Sequence, residues 1–316
     1  MAKYRAAVVG CTGIGNAHTT GFADLPNVEL VAACDIVQGV LDEFVERWKS
    51  KCPNVSKYVD HQEMLKNEKL DIVTVATSDH RHVDIVVNSA NAGVRGIFCE
   101  KPMATSLVDA DRMVEACENN NTILSIDHTR RWYPLFRKTR ELIREGVIGS
   151  VQYIVTTLSG PRAMLFRNGT HLIDVISFFA ESSPEWVIAE LEEGYEDYWE
   201  YQGDGGHDPK TEPGATGYIH YENGVRAFYA GLKKTPSGSR SEIVGSDGYI
   251  LINDRKAEIY KGDSREEIQP EPWPKVGIPA GIEELVQLLE SSGEPISPGR
   301  EALKTVEIMI GFLESQ

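Results

Sequence analysis

Residues 8–15 read Val-Val-Gly-Cys-Thr-Gly-Ile-Gly and stand between the first apolar run of the chain and an expected helix. A dinucleotide-binding turn has glycine at its first, third and sixth positions, because its backbone approaches a pyrophosphate at a helix N-terminus. Gly10 and Gly15 occupy the first and sixth positions, whereas Thr12 holds the third and Gly13 follows it. The segment predicts either a phosphate-binding turn or only a tight strand-to-helix turn.

An acidic residue, Asp35, ends the second apolar run, about 20 residues after the glycine turn, where such domains bind the adenosine ribose. A carboxylate there accepts hydrogen bonds from the ribose hydroxyls and repels a 2′-phosphate. We therefore expect NAD, with NADP less favoured. The alternative is that Asp35 only caps the next helix.

The pattern of apolar residues changes after Asp127. Before it, near-continuous apolar runs alternate with helical periodicity, which is typical of a doubly wound parallel sheet (α/β) covered on both faces. After it, short alternating runs and hairpin turn signals favour an α+β domain, with an open-faced, mostly antiparallel sheet flanked by helices. We predict a dinucleotide-binding domain at residues 1–127 and a substrate-binding and oligomerisation domain at 128–316. Helices are expected at Gly15–Ala23, Val37–Lys49, His82–Asn91, Leu107–Glu118, Pro134–Arg144, His171–Phe179, Gly281–Leu289 and Arg300–Leu313.

Composition excludes several classes of partner. The chain has 32 basic and 48 acidic residues and a net charge of −16, which disfavours nucleic acid, since binding phosphates needs a basic surface. No apolar stretch approaches the length of a membrane span, and the first is too short for a secretory signal. The five cysteines have irregular spacing, without zinc-ligand patterns. We expect reduced thiols, a cytoplasmic location and no metal.

A second chemical signal, Glu100-Lys101-Pro102, follows the apolar run Ile97–Cys99. The carboxyl ends of parallel strands face the ligand crevice, so this lysine is a candidate acid or base once partial burial lowers its pKa. The alternative is a solvated surface pair of opposite charges.

Taken together, several segments resemble the glucose–fructose oxidoreductase, inositol dehydrogenase and MocA (Gfo/Idh/MocA) family. They are VVGCTGIG, AACD, VTVATSDHRH, GIFCEKPMA, TRRWYP, LIREGVIGSV and NGTHLID. The resemblance implies a Rossmann domain and hydride transfer between a nicotinamide and a hydroxyl-bearing carbon of a small polyhydroxylated substrate: a sugar, cyclitol or sugar acid. The nicotinamide would supply the redox chemistry, and the protein would position the reactants and supply the charged groups.

The resemblance also assigns cofactor contacts. Lys101 would contact both the nicotinamide and the reacting hydroxyl, while Glu100 shapes the turn that holds it. Thr77 and Ser78 would line the cofactor, and His82 would lie near it, unless His82 is only a packing residue. The implied cofactor-binding residues are Gly10, Thr12, Gly13, Ile14, Gly15, Asp35, Thr77, Ser78, His82, Glu100 and Lys101.

The second half of the resemblance concerns the acid–base chemistry. His171 matches the family histidine that accepts the hydroxyl proton, a role suited to imidazole because its pKa lies near neutrality. Asp174 shares its helix face and would orient His171 or bind a substrate hydroxyl. Arg130 would face the substrate or form a structural ion pair. The alternative for His171 is packing at a helix N-terminus.

One position departs from the family pattern. Many members have aspartate four residues before the histidine, where this chain has Arg167. Arginine cannot act as a base near neutral pH, so we expect it to bind an anionic substrate group such as a carboxylate, or to lie on the surface.

Two other functions share these features. One is an NAD-assisted glycoside-cleaving enzyme, which would turn over without net NADH formation. The other is a non-catalytic NAD-binding regulator, although the presence of both Lys101 and His171 argues against it. An open-faced sheet suggests a homodimer or homotetramer formed through that face. The aromatic residues Tyr195, Tyr198, Trp199 and Tyr201 lie in an expected long loop, and would stack on a sugar or on a second subunit.

Overall fold

The computed structural model describes residues 4–291 and 293–315, and these divide into two compact units. Within those limits, the first unit holds residues 4–104, 108–129 and 275–300, and the second holds 105–107, 130–274 and 301–315. From the sequence, residues 275–300 were expected in the second domain, because they follow that domain in the chain. In the structure this segment returns to the first unit.

A six-stranded parallel sheet forms the centre of the first unit, in the order β3-β2-β1-β4-β5-β6, as the sequence predicted. Its strands are β1 (Tyr4–Val9), β2 (Val28–Cys34), β3 (Ser56–Tyr58), β4 (Ile72–Val75), β5 (Gly96–Cys99) and β6 (Ile123–Ile126). The strand order reverses beside β1, which lies between β2 and β4. A reversal of this kind opens a crevice at the carboxyl ends of the strands, where ligands bind in such sheets.

Helices follow most of these strands: α1 (Gly13–Ala23), α2 (Gln38–Trp48), α3 (His61–Asn67), α4 (His82–Asn91) and α5 (Leu107–Asn119). The second unit contains α6 (Pro134–Arg144) and α7 (Thr170–Ala180), and the chain ends with α8 (Ile278–Ser291) and α9 (Gly299–Glu314). Helix α8 packs closely on α1, since a Cβ added at Gly21 would lie 2.8 Å from Ile282. Within the described ranges, no helix has the length and apolar content needed to cross a membrane.

The second unit contains an eight-stranded sheet in the order β14-β13-β12-β11-β7-β10-β9-β8. Its strands are β7 (Val151–Ser159), β8 (Pro184–Leu191), β9 (Ala215–Tyr221), β10 (Arg226–Leu232), β11 (Gly238–Gly245), β12 (Tyr249–Ile252), β13 (Ala257–Lys261) and β14 (Ser264–Glu267). Only the β7–β10 pair among these neighbours is parallel, so the predicted mostly antiparallel sheet is confirmed.

One face of this sheet exposes apolar side chains. Trp186 and Ile188 on β8 and Phe228 on β10 are 49, 60 and 44 % exposed. The ring of Tyr218, on the strand between them, lies 5.0 Å from the ring of Trp186 and 5.3 Å from that of Phe228. The intervening residues of β10, such as Ala227 and Tyr229, are buried on the other face. The two-residue alternation of strands thus gives one packed face and one aromatic exposed face.

Candidate active site

The glycine turn after β1 requires two of its glycines. Gly10 has a φ of +92°, and a Cβ there would lie 2.3 Å from the carbonyl oxygen of Ala76. A Cβ at Gly15 would lie 1.9 Å from the carbonyl oxygen of Gly10. Neither position has room for a side chain, so these glycines let β1, β4 and α1 meet at the carboxyl edge of the sheet.

The irregular middle of the turn is sterically open. Thr12 is the exposed N-cap residue of α1, and Ile14 is 41 % exposed. A Cβ at Gly13 would meet no atom within 4 Å. Threonine in place of the expected middle glycine therefore does not obstruct the turn, and the N-terminus of α1 faces open space. A helix N-terminus of this kind favours an anion.

Asp35 braces the glycine turn. Its Oδ2 accepts a hydrogen bond from the backbone N–H of Cys11 at 2.9 Å, and its Oδ1 accepts one from Val37 at 2.9 Å. The N-cap residue of α2 is Val37, so Asp35 does not occupy the capping position that the alternative reading gave it. Because each carboxylate oxygen has two lone pairs, both can accept a further hydrogen bond from a ribose hydroxyl.

His82 links two of the turns at the carboxyl edge of the sheet. Its ring is fully buried, with Nδ1 2.9 Å from the carbonyl oxygen of Pro102 and Nε2 3.3 Å from that of Thr77. Burial lowers the pKa of His82, so the ring is neutral and donates from one nitrogen at a time. The structure thus shows the packing role that the sequence left open. Ser78, which follows Thr77, is exposed.

A buried polar cluster that the sequence analysis missed lies beside Lys101. His18 on α1 is fully buried, and its Nε2 lies 3.1 Å from Oε1 of Glu100. Asp127 follows β6, and its backbone N–H donates to the carbonyl of Cys99 at 2.8 Å. A ring nitrogen of His18 and one carboxyl oxygen each of Glu100 and Asp127 all lie within 4.8 Å of one another. Lys101 itself is only 9 % exposed.

The two carboxyl groups of this cluster titrate differently. Burial alone would raise the pKa of Glu100, but the hydrogen bond and charge of His18, and then the charge of Lys101, outweigh it and lower that pKa to about 2. Burial, the charge of Glu100 and a hydrogen bond with it raise the pKa of Asp127 well above its usual value. Glu100 is therefore ionised at neutral pH, whereas burial disfavours the charged form of Asp127.

His171 follows a π-helical turn in the second unit. The turn spans Leu165–Gly169, and the N–H of Gly169 donates to the carbonyl of Met164, five residues earlier, at 2.8 Å. A Cβ at Gly169 would lie 2.6 Å from the hydroxyl of Tyr229, so the glycine of the NGTHLID segment is required by packing. Single π-turns of this kind are frequent at functional sites. His171 is half-buried at the start of α7.

Glu212, a second residue that the sequence analysis missed, fixes this turn. Its carboxylate is 1 % exposed and accepts hydrogen bonds from the backbone N–H groups of Phe166 at 2.8 Å and Arg167 at 3.0 Å. The ammonium of Lys233 in turn donates to the Glu212 carbonyl at 2.8 Å and to the Glu192 carboxylate at 2.7 Å. Lys233 thereby ties together both ends of the long loop between β8 and β9.

Asp174 has a partner that the sequence analysis did not foresee. Its side chain is fully buried and binds the guanidinium of Arg131 through Nε at 3.0 Å and Nη2 at 2.8 Å. A carboxylate without exposed surface cannot bind a substrate hydroxyl in this state. Of the two predicted roles of Asp174, this buried pairing does not support direct substrate contact, and an orienting role stays a prediction.

Arg130 also departs from its predicted role in substrate binding. Its Nε and Nη2 donate to the two carboxylate oxygens of Asp254 at 2.7 and 2.9 Å. This two-point pairing is the structural ion pair that the sequence analysis named as the alternative, because the charge of the guanidinium is already matched within the second unit.

The aromatic loop is largely folded onto itself. The hydroxyl of Tyr198 accepts from the N–H of Gln202 at 2.8 Å, and the ring of Tyr201 lies 4.8 Å from that of Phe166. Tyr195 is contacted by the ammonium of Lys233 at 4.6 Å from its ring centroid. Trp199 is different, with 58 % of its surface exposed. Of the four aromatic residues, Trp199 is therefore the one most available for a sugar or a second chain.

Comparison with known sequences assigns the class of protein that this fold and these residues define. Residues 4–128 match the family described as "Oxidoreductase family, NAD-binding Rossmann fold" (GFO_IDH_MocA). Residues 136–251 match the GFO/IDH/MocA C-terminal domain. The chain belongs to the Gfo/Idh/MocA oxidoreductase family, and it is an NAD-binding oxidoreductase. The predicted family, fold class and cofactor are confirmed.

Particular relatives match along most of the chain. D-apiose dehydrogenase from Paraburkholderia graminis is 26 % identical, over 97 % of this chain and 86 % of the relative. Myo-inositol 2-dehydrogenase from Thermotoga maritima is 26 % identical, over 83 % of this chain and 76 % of the relative. A solved oxidoreductase from Agrobacterium radiobacter, in complex with NAD+, L-tartaric acid and magnesium, is 20 % identical and superposes with a TM-score of 0.81 over 99 % of this chain and 96 % of its own. This last likeness shows the shared fold.

Proposed function

We propose that this protein is an NAD-dependent dehydrogenase that oxidises a secondary alcohol of a sugar, cyclitol or sugar acid, or reduces the corresponding carbonyl. The observation that carries the proposal is the buried Lys101, which follows β5 beside the ionised Glu100 at the carboxyl edge of an NAD-binding sheet. Two relatives that match most of the chain are named as dehydrogenases of a sugar and of a cyclitol.

NAD, held by the glycine turn and Asp35, would supply the hydride acceptor for the carbinol carbon. The ammonium of Lys101 donates a hydrogen bond to the reacting oxygen and polarises the carbon–oxygen bond. The imidazole of His171 takes the hydroxyl proton, so that the alcohol loses one hydride and one proton and becomes a carbonyl. Reduction runs through the same steps in reverse, with protonated His171 returning the proton.

The remaining residues would position the cofactor and the substrate. Gly10 and Gly15 bring the backbone to the pyrophosphate, and Asp35 would accept hydrogen bonds from the ribose hydroxyls and select NAD over NADP. Arg167, within the π-helical turn, is a candidate for binding a carboxylate of the substrate, which would favour sugar acids. Asp174 would orient the helix that carries His171.

We also propose an assembly and a location. The exposed aromatic face of Trp186, Tyr218 and Phe228 would pair with the same face of a second copy, giving a homodimer or a homotetramer. All five cysteines are unpaired and buried, as in proteins of a reducing compartment, which favours the cytoplasm. We place the boundary between the NAD-binding and substrate-binding domains between residues 127 and 128.

Hydride transfer with net NADH formation is favoured over the two other functions. The two named relatives are dehydrogenases, and neither is a glycoside-cleaving enzyme. A non-catalytic regulator would have no need for a buried lysine next to an ionised glutamate. The chemistry of the site therefore favours an enzyme with redox turnover.

A substrate panel tests this function. Sugars, cyclitols and sugar acids would be incubated with NAD or NADP, and NADH formation followed by its absorbance. We expect a member of the panel to be oxidised with NAD, and Lys101→Ala to abolish turnover while retaining NAD affinity. Binding of NAD without turnover of any member would favour the regulator, and substrate cleavage without net NADH would favour glycoside cleavage.

A further inference from the structure

Two carboxyl groups in the first unit are buried together. Glu100 is 8 % and Asp127 2 % exposed, and they follow adjacent strands, β5 and β6, of the parallel sheet. The hydrogen bond from the Asp127 backbone to Cys99 fixes the two residues side by side. Since the carboxyl ends of neighbouring strands lie at the same edge, the two side chains enter one polar pocket from parallel positions.

A third element closes that pocket. His18 comes from the buried side of α1, and its ring packs edge-on against Phe98 of β5 at 5.3 Å between centroids. This packing directs Nε2 to Oε1 of Glu100 at 3.1 Å. Glu100 is thus held by His18 on one side and by Asp127 on the other.

Two buried carboxylates whose oxygen atoms lie within 4.8 Å of each other would both be ionised only at a high cost, because each would be poorly solvated and would repel the other. One proton therefore stays in the pair. Glu100 is the better anion, since the charge of Lys101 and the donor of His18 both stabilise its negative form. Burial and the charge of Glu100 raise the pKa of Asp127, so the proton is more stable on Asp127 than on Glu100.

Other ionisable groups face this pair. Lys101 lowers the pKa of both carboxyl groups. Asp79 lies near enough to Cys99 for its charge to add to the effect of burial on the pKa of that thiol. Burial raises the pKa of Cys99 and lowers that of His82, so both of these groups are neutral at neutral pH.

A metal ion would also fit the donor types of His18, Glu100 and Asp127. Two features favour a proton instead. The distance between His18 and Glu100 is already that of a hydrogen bond, and the neighbouring Lys101 ammonium repels a cation.

We propose that Glu100 and Asp127 share a single proton at neutral pH, and that the remaining negative charge, held on Glu100 by His18 and Asp127, positions the ammonium of Lys101 and keeps it charged. His18 and Asp127 are then positioning residues that act on Lys101 through Glu100. The inference rests on the proposed role of Lys101 in hydride transfer, whereas the shared proton itself is independent of that function.

Infrared spectroscopy tests the shared proton without needing turnover. The carbonyl stretch of a protonated carboxyl group is separate from the bands of carboxylates, and an ordinary aspartic acid, with a pKa of about 3.9, is ionised at neutral pH. We expect a protonated-carboxyl band in the native protein between about pH 6 and 8 that is absent from Asp127→Asn. Absence of that band from the native protein, or its persistence unchanged in Asp127→Asn, would overturn the proposal.

The pH dependence of kcat/KM tests the effect on Lys101. Glu100→Gln removes the negative charge that stabilises the ammonium of Lys101. The limb of the pH profile that reports the titration of Lys101 should therefore move to lower pH by about 1 unit or more. Asp127→Asn replaces a neutral acid with a neutral amide that still donates a hydrogen bond, so that limb should stay in place. If Asp127 were ionised, its asparagine variant would move the limb as far as Glu100→Gln does.

A matched control and a metal analysis complete the experiment. Asp71→Asn makes the same carboxyl-to-amide change at a half-buried position before β4, at the opposite ends of the strands, where Asp71 accepts from the N–H of Arg5 at 2.9 Å. It should alter neither the infrared band nor the pH profile. Elemental analysis of the native protein, purified without chelator, should find no stoichiometric metal. One equivalent of metal that is present in the native protein and lost in Asp127→Asn would contradict the shared proton.

Discussion

Arg131 and Asp174 form a buried ion pair in the second unit, with side chains 2 and 0 % exposed. The guanidinium also lies over the ring of Phe178, with 5.1 Å from its central carbon to the ring centroid. Asp174 is three residues after His171 on α7, so the pair fixes the helix that carries the proposed proton acceptor. Sequence spacing alone suggested that Asp174 would orient His171 or bind the substrate. The buried Arg131 gives Asp174 a role within the fold, as its counter-charge.

Loss of this pair should be costly. Arg131→Met leaves the Asp174 carboxylate buried without its counter-charge, and we expect the free energy of unfolding to fall by about 3–5 kcal/mol. Urea unfolding followed by tryptophan fluorescence measures it. Arg130→Met is the matched control, because its partner Asp254 is 41 % exposed and such pairs contribute at most about 1 kcal/mol. Equal losses for the two variants would show that the Arg131 pair is not effectively buried.

Substitution by alanine at two glycines of the turn after β1 should change the thermal stability in opposite directions. Gly15→Ala places a methyl group against the carbonyl of Gly10, so we expect lower thermal stability and weaker NAD binding. Gly13→Ala adds a methyl group in open space at a helical position, where alanine is favoured by up to about 1 kcal/mol over glycine. Calorimetry should therefore show a melting temperature that is lowered for Gly15→Ala and unchanged or raised for Gly13→Ala. The reverse order would refute the observed turn geometry.

Asp35 should control the choice of dinucleotide. Asp35→Ala removes the proposed acceptor for the ribose hydroxyls and the repulsion of a 2′-phosphate, so the ratio of kcat/KM for NAD to that for NADP should fall by about tenfold or more. The control is Asp60→Ala, which removes the N-cap of α3, where Asp60 accepts from Gln62 at 2.8 Å. A ratio unchanged by Asp35→Ala would remove the ribose assignment.

Glu212 should act on turnover through the π-helical turn. Glu212→Ala leaves the N–H groups of Phe166 and Arg167 without their acceptor, at about 1–3 kcal/mol for each buried group. We expect a lower kcat with a smaller change in KM, and partial recovery in Glu212→Gln, whose amide oxygen still accepts. Glu196→Ala is the control, because Glu196 caps Gly194 at 2.8 Å in the same loop but is exposed. Full activity in Glu212→Ala would show that the turn does not depend on it.

Apolar periodicity predicted the regular elements well. The helices His82–Asn91 and Pro134–Arg144 have the predicted bounds. These segments have a clear buried face or well-marked ends: α6, for example, begins at Pro134, a residue suited to the first helical position. The two sheet types were predicted from the same patterns. Near-continuous apolar runs indicate strands buried on both faces, as in a parallel sheet, and alternating runs indicate strands buried on one face, as in an antiparallel sheet.

Short polar elements were not predicted. Strand β3 contains Ser56 and Lys57, both exposed, and β14 is exposed along its length, so neither has an apolar pattern to detect. The return of α8 to the first unit was also missed, because its apolar face indicates that it packs but not against which unit. Helix periodicity does not identify a partner.

The candidate site was predicted only in part. Its local signals, the glycine turn and the segment around Lys101, are contiguous in sequence. The contact between His18 and Glu100 joins residues 82 positions apart, and Glu212 reaches Phe166 across 46. The one available signal was a polar histidine on α1 one turn after Gly15, on the side that carries the buried Phe22. Pairings of this kind depend on tertiary structure.

Isotope transfer tests the central claim most directly. A substrate found in the panel would be prepared with deuterium on its carbinol carbon, incubated with NAD, and the recovered dinucleotide analysed by mass spectrometry and NMR. The proposed chemistry predicts one deuterium on the nicotinamide ring for each substrate oxidised, with transfer abolished in a Lys101→Ala variant that still binds NAD. Product formed without deuterium in the dinucleotide, or transfer at the native rate without Lys101, would contradict it.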